Sequence, residues 1–222
     1  MKYVMKVINA LIAAAIFPAA YFLDLFFIQV GTNKNAQWLI QLFSENSAGV
    51  GVEEALSIHE IVQIIRGEHI YSTMFDGMSG GFTWPEALNP LNGRLITVVV
   101  CFVLCLLIAL FVIIYSICSS KKLPVVIAAI AGIVSAIIMI SCFNSAASVI
   151  VSGEISIQSI LSTADGWLTS ILLGFVGVDT LMLGGFHSAF IIIFVCIIVW
   201  TGAFALIEIG ENKEEPAKKS KH

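Results

Sequence analysis

The chain has 222 residues, of which 59% are hydrophobic and 12% charged, with a net charge of −4 and a mean hydropathy of +0.98. This composition is too apolar for a water-soluble domain. Without a basic patch larger than a short tail, it also excludes a nucleic-acid binder. All five cysteines (Cys101, Cys105, Cys118, Cys142, Cys196) fall inside or at the ends of apolar runs. They read as small packing residues rather than as a disulfide framework.

Four apolar runs are long enough to cross a hydrocarbon core of about 30 Å as helices rising 1.5 Å per residue. The first covers residues 4–30 and contains Pro18, where a bend is expected. Lys2, Lys6, the apolar stretch 7–17 and the small residues Ala19 and Ala20 resemble a signal peptide. The apolar run continues through 21–30, however, so an uncleaved first span over residues 1–30 is the expectation.

Residues 31–94 form a long first outer loop with structure of its own. Leu56-Ser57-Ile58-His59-Glu60-Ile61 carries a capping box: Ser57 caps a helix, Glu60 returns the bond, and Leu56 staples against Ile61. Arg66 and Gly67 supply a last-turn cation and a stop. A second capping box is expected at Thr83-Trp84-Pro85-Glu86, with turn chemistry over residues 76–81 between the two.

Residues 95–150 hold the second span (95–118), a short turn with Lys121 and Lys122, and the third span (125–150). So short a turn makes the two spans an antiparallel hairpin, and Pro124 fits the first turn of the latter. Residues 151–185 form a second, apolar outer loop, within which 167–185 is long enough for a fifth span. Counting it as a span would put the lysine-rich tail outside, against the positive-inside rule. A hydrophobic outer helix pair, or an interfacial or re-entrant segment, is expected instead. The last span covers residues 186–209, and residues 210–222 are a charged, disordered tail.

Lys2, Lys6, Lys121, Lys122 and the tail lysines lie on one side of this plan, and the other two loops are acidic. Both termini are therefore expected in the cytoplasm of a plasma membrane. Cysteine-free outer loops and lysine-bordered spans suit a bacterial inner membrane. The expected fold is an all-α integral membrane protein: a four-transmembrane-helix bundle with a small helical extracytoplasmic cap formed by the two outer loops.

Asp24 is the sharpest single residue, because a carboxylate inside a span must be paired, protonated or facing water. It is a candidate pore or polar intramembrane group, with Arg94 the candidate to cap it. Ala128, Gly132 and Ala136 form a small-residue stripe on the third span, suited to close helix packing and expected at subunit contacts. His59-Glu60 begins a zinc-protease signature, but Gln63 replaces the second histidine, and no metal or cofactor is expected. No nucleophile elbow or phosphate-binding glycine loop is present, so an enzyme is not expected.

The plan of two inner ends, a large first outer loop, a tight inner turn and a moderate second outer loop resembles that of claudins and connexins. Both families carry cysteines in the first outer loop, where this chain has Trp38 and Trp84 but none, so no residue role carries over. The functional expectation is a non-conducting assembly, scaffold or accessory subunit acting through its outer cap. Membrane lipids, other copies of the chain and an extracytoplasmic or membrane protein are the expected partners. An oligomeric pore or channel-forming subunit is the alternative, and a small transporter is weaker.

Overall fold

The computed structural model describes residues 2–32, 52–66, 86–119, 121–155 and 176–219. It is mostly helical, and four of its helices are long and apolar enough to cross a membrane: Tyr3–Phe22, Leu88–Cys118, Leu123–Val151 and Phe186–Glu208. The shortest of these has 20 residues, about 30 Å of helix, which matches a hydrocarbon core.

The first span is built from α1 (Lys2–Ala14) and α2 (Ile16–Phe22), interrupted at Ala15. Pro18 accounts for the interruption. It has no N–H to donate, and its ring crowds the carbonyl four residues earlier, at Ala14. The chain responds with a local turn: Ala15 N–H is shared between Leu11 O and Ile12 O, both at 3.2 Å. The span then stops at Phe22, eight residues before the end of its apolar run at Val30.

From Asp24 the chain is extended. Strand β1 (Asp24–Thr32) is the centre of a three-stranded antiparallel sheet between β2 (Val52–Ser57) and β3 (Val176–Leu183). This sheet corrects the all-α expectation. Its strands come from the end of the first apolar run and from both long loops, so pairing rather than helix packing ties those loops together. The register shifts between Asp24 and Phe26 against β2, and between Gln29 and Val30 against β3, each leaving an unpaired residue that bends the ladder. Residues 156–175 lie outside the described residues, as do 33–51 and 67–85 with the second capping box. Within residues 167–185, where an outer helix pair or an interfacial or re-entrant segment is expected, Val176–Leu183 is a strand.

Helix α3 (Ile58–Ile65) starts directly at the end of β2. A 3-10 turn (Glu86–Leu91) leads into α4 (Asn92–Cys118), and α5 (Leu123–Val151) follows the turn at Lys121–Lys122. α6 (Phe186–Lys219) continues as helix past Ile209, where a disordered tail was expected.

The chain divides into two compact units. The first comprises Met1–Ala19, Val100–Ile138 and His187–His222, and holds parts of all four spans. Each contributes a seam of buried residues at three- and four-residue steps. Met5, Asn9, Ala13 and Ile16 come from the first span; Cys101, Cys105, Ala109, Val112 and Ser116 from α4. Val125, Ala129, Gly132 and Ala136 come from α5, and Phe190, Phe194, Ile197 and Thr201 from α6. This spacing keeps one face of each helix turned inward. The opposite faces carry exposed Leu107, Phe111, Ile114, Val134 and Val199, an arrangement suited to lipid and not to water.

The second unit comprises Ala20–Val99 and Met139–Phe186. It contains the sheet, α3 and a small apolar cluster of Leu91, Ala146 and Ile155, covered by Leu88, Leu95, Val149 and Ile150.

Candidate functional site

Three groups of residues stand out against this apolar frame. The first lies within the four-span unit, near the end that carries the α4–α5 turn. There the Asn9 amide donates to Thr201 Oγ1 at 3.0 Å, both residues being 1% exposed. One turn before Asn9 on α1, Lys6 Nζ donates to the carbonyl of Ile117, near the C-terminus of α4. The last carbonyls of a helix lack intrahelical partners and carry partial negative charge, so a lysine there satisfies both. In the turn, Lys122 Nζ pairs with the Glu208 carboxylate at 2.8 Å, bringing the hairpin and the last span to the same end.

The second group joins α2 to α3. The Ser57 N–H and hydroxyl both donate to Glu60 Oε2, at 2.7 and 3.0 Å, and Glu60 N–H donates back to Ser57 Oγ at 3.2 Å. This is the capping box expected from the sequence, and it fixes the start of α3. The cap aims His59 at the end of the first span: its ring lies 5.3 Å from Tyr21 and 5.5 Å from Phe22, between centroids. His59 Nδ1 is 3.3 Å from Tyr21 Oη, and Nε2 is 3.1 Å from the Gln63 amide nitrogen. Both ring nitrogens of His59 are therefore engaged, one by the phenol of Tyr21 and the other by the Gln63 amide. Gln63, which breaks the zinc signature, thus orients the histidine itself.

The third group is the junction of β1 and β3. Gly184 N–H donates to Leu25 O at 3.0 Å, and a β-carbon at Gly184 would collide with the Asp24 backbone carbonyl. Only glycine allows the strand before α6 to close on the strand after α2.

Asp24 therefore lies beyond the first span. It is the first residue of β1, opposite Ser57, and its side chain is exposed. Its carboxylate takes no hydrogen bond or ion pair among the described residues, and Arg94 does not cap it. Arg94 Nη1 instead donates to the carbonyl of Ser145, tying α4 to α5 at 2.9 Å.

The small-residue stripe lies inside the chain. Gly132 and Ala136 are buried, Ala128 is half-buried, and Ala129 takes the buried place beside it. Cys105 Sγ approaches Gly132 O at 3.7 Å from α4, and a β-carbon on Gly132 would come within 2.5 Å of the Phe194 ring from α6. Gly132 thus packs against two of this chain's own helices.

Sequence reasoning passed over Asn9, Thr201, Ser116 and the Lys122–Glu208 pair. The available signal was their polarity inside long apolar runs, where an unpaired amide or carboxylate is costly. Among the described residues, no group of three or more His, Cys, Asp or Glu side chains is placed to hold a metal ion. The chain matches no known family model, no curated protein and no solved structure.

Proposed function

We propose that this multi-pass membrane protein is a non-conducting assembly, scaffold or accessory subunit. It acts in a plasma membrane as an oligomer, with both termini in the cytoplasm. The observation carrying this reading is the filled interior of the four-span unit, where Ile16, Val112, Phe190, Phe194 and Ile197 are buried to 2% exposure or less. A conducting path needs a polar lining or an openable constriction, and the interior of a single copy, closed by these buried apolar side chains, supplies neither. The working surface is then the region built from β1, β2, β3 and α3. Met182 on β3 is exposed at 46%, and Phe22 and Leu23, where the first span gives way to β1, at 62% and 39%, for a protein or lipid partner.

The competing reading is an oligomeric pore or channel-forming subunit. It draws on the exposed Asp24 carboxylate, which a ring of copies would repeat around an axis. Ion flux through the purified protein in liposomes separates the two. The scaffold reading expects flux no greater than in empty liposomes. Flux that falls in Asp24→Asn would replace it with the pore.

A further inference from the structure

We propose that the four-span unit holds bound water in a blind polar layer formed by Asn9, Thr201 and Ser116, reached from the α4–α5 turn. This inference does not depend on the scaffold reading. It starts from an incomplete set of hydrogen bonds. Asn9 and Ser116 are 1% and 3% exposed, yet Asn9 Oδ1 and Ser116 Oγ have no partner among the described residues. The Asn9 amide spends one donor on Thr201 Oγ1. If the amide is turned over, its oxygen accepts from the Thr201 hydroxyl and the nitrogen is left bare. One end of this amide is unsatisfied in either orientation.

Buried groups of this kind are rarely left unpaired, and ordered water is their usual partner where protein atoms do not reach. The surroundings suit water. Lys6, one turn before Asn9, donates to Ile117 O at 3.4 Å, which places its ammonium beside the residue that follows Ser116. Lys6 Nζ keeps donors beyond that one bond, and Ser116 Oγ both donates and accepts. A water between Asn9 and Ser116 thus finds an acceptor at one side and a hydroxyl at the other.

The layer is closed in the opposite direction. The next seam residues after Asn9 on the first span are Ala13 and Ile16, and those before Ser116 on α4 are Val112 and Ala109, all 0% exposed. Before Thr201 on α6 come Ile197 and Phe194, also 0% exposed. Water entering past Lys6 therefore stops at Asn9. The layer is a vestibule and not a path.

The test uses full-length protein in nanodiscs with asparagine selectively labelled with nitrogen-15. The Asn9 side-chain amide is identified as the signal lost in Asn9→Ala and, should that variant fail to fold, as the one shifted in Thr201→Val. Magnetisation transferred from water protons should reach this amide in the wild type. It should persist in Thr201→Val, which removes relay through the threonine hydroxyl. In Ser116→Ala the transfer should fall at least twofold, with the remaining asparagine signals unmoved. No transfer at Asn9, transfer abolished by Thr201→Val, or transfer indifferent to Ser116→Ala would each overturn the proposal.

Discussion

At the scale of single residues, the smallest side chains carry the tightest constraints. Gly132 is a notch for Phe194, whose ring is fully buried against it. Gly132→Leu should cost about 1–3 kcal/mol, the range typical of overpacking a filled core. Thermal unfolding in detergent reads this directly, and the oligomeric state should not change, because the contact lies within one chain.

The Asn9–Thr201 bond behaves differently. Thr201→Val leaves the amide without its protein partner and should destabilise by about 0.6–2 kcal/mol, the measured range for hydrogen bonds between membrane helices. Adding Asn9→Leu removes the stranded group, and the double variant should recover at least half of the loss in the same assay. A double variant weaker than Thr201→Val alone would show that the asparagine matters for more than this bond.

At the scale of elements, the end of the first span was the least legible feature. Residues 21–30 continue an apolar run, and short apolar runs do not distinguish a helix from a buried strand by periodicity. The sequence Leu25-Phe26-Phe27-Ile28 is rich in the aromatic and branched side chains that suit a pleated sheet. What makes it a strand is partners on both sides, supplied by residues 52–57 and 176–183, far away in the chain. The helix at Ile58 was legible because its signal is local: Ser57 and Glu60 sit three residues apart and satisfy each other's backbone donors. Ser57→Ala should cost about 1 kcal/mol. Hydrogen exchange should show it as faster exchange confined to the first turn of α3, with the four spans unaffected.

At the scale of the whole molecule, the apolar helices account for the class of protein, and a few polar contacts link particular helices. Lys122 and Glu208 are separated by 86 residues, and their pair brings the hairpin turn to the last span. Their side chains are 20% and 40% exposed, so solvent screens the attraction and its net worth is about 0–1 kcal/mol. Lys122→Glu places two carboxylates together and should lower the unfolding temperature in detergent. Lys122→Glu with Glu208→Lys should restore it. Failure of the swap to restore stability would mean that Glu208 relies on other contacts at that site.

The sequence by itself determined four membrane-length helices, the tight hairpin and the capping box at Ser57, and it marked Pro18 as the place where the first helix departs from regularity. All of these are written in apolar run length or in residues within one helical turn of each other, so no distant partner is needed to read them. The tertiary structure alone decided the three-stranded sheet, the place of Asp24 outside the first span, and the burial of Gly132 against Phe194. It also decided the pairing of Asn9 with Thr201, two residues 192 positions apart. A strand is stable only through its neighbours, and a small residue is a notch only where another helix presents a ring. Such choices depend on which distant segments meet, and composition and spacing along one chain do not carry that information.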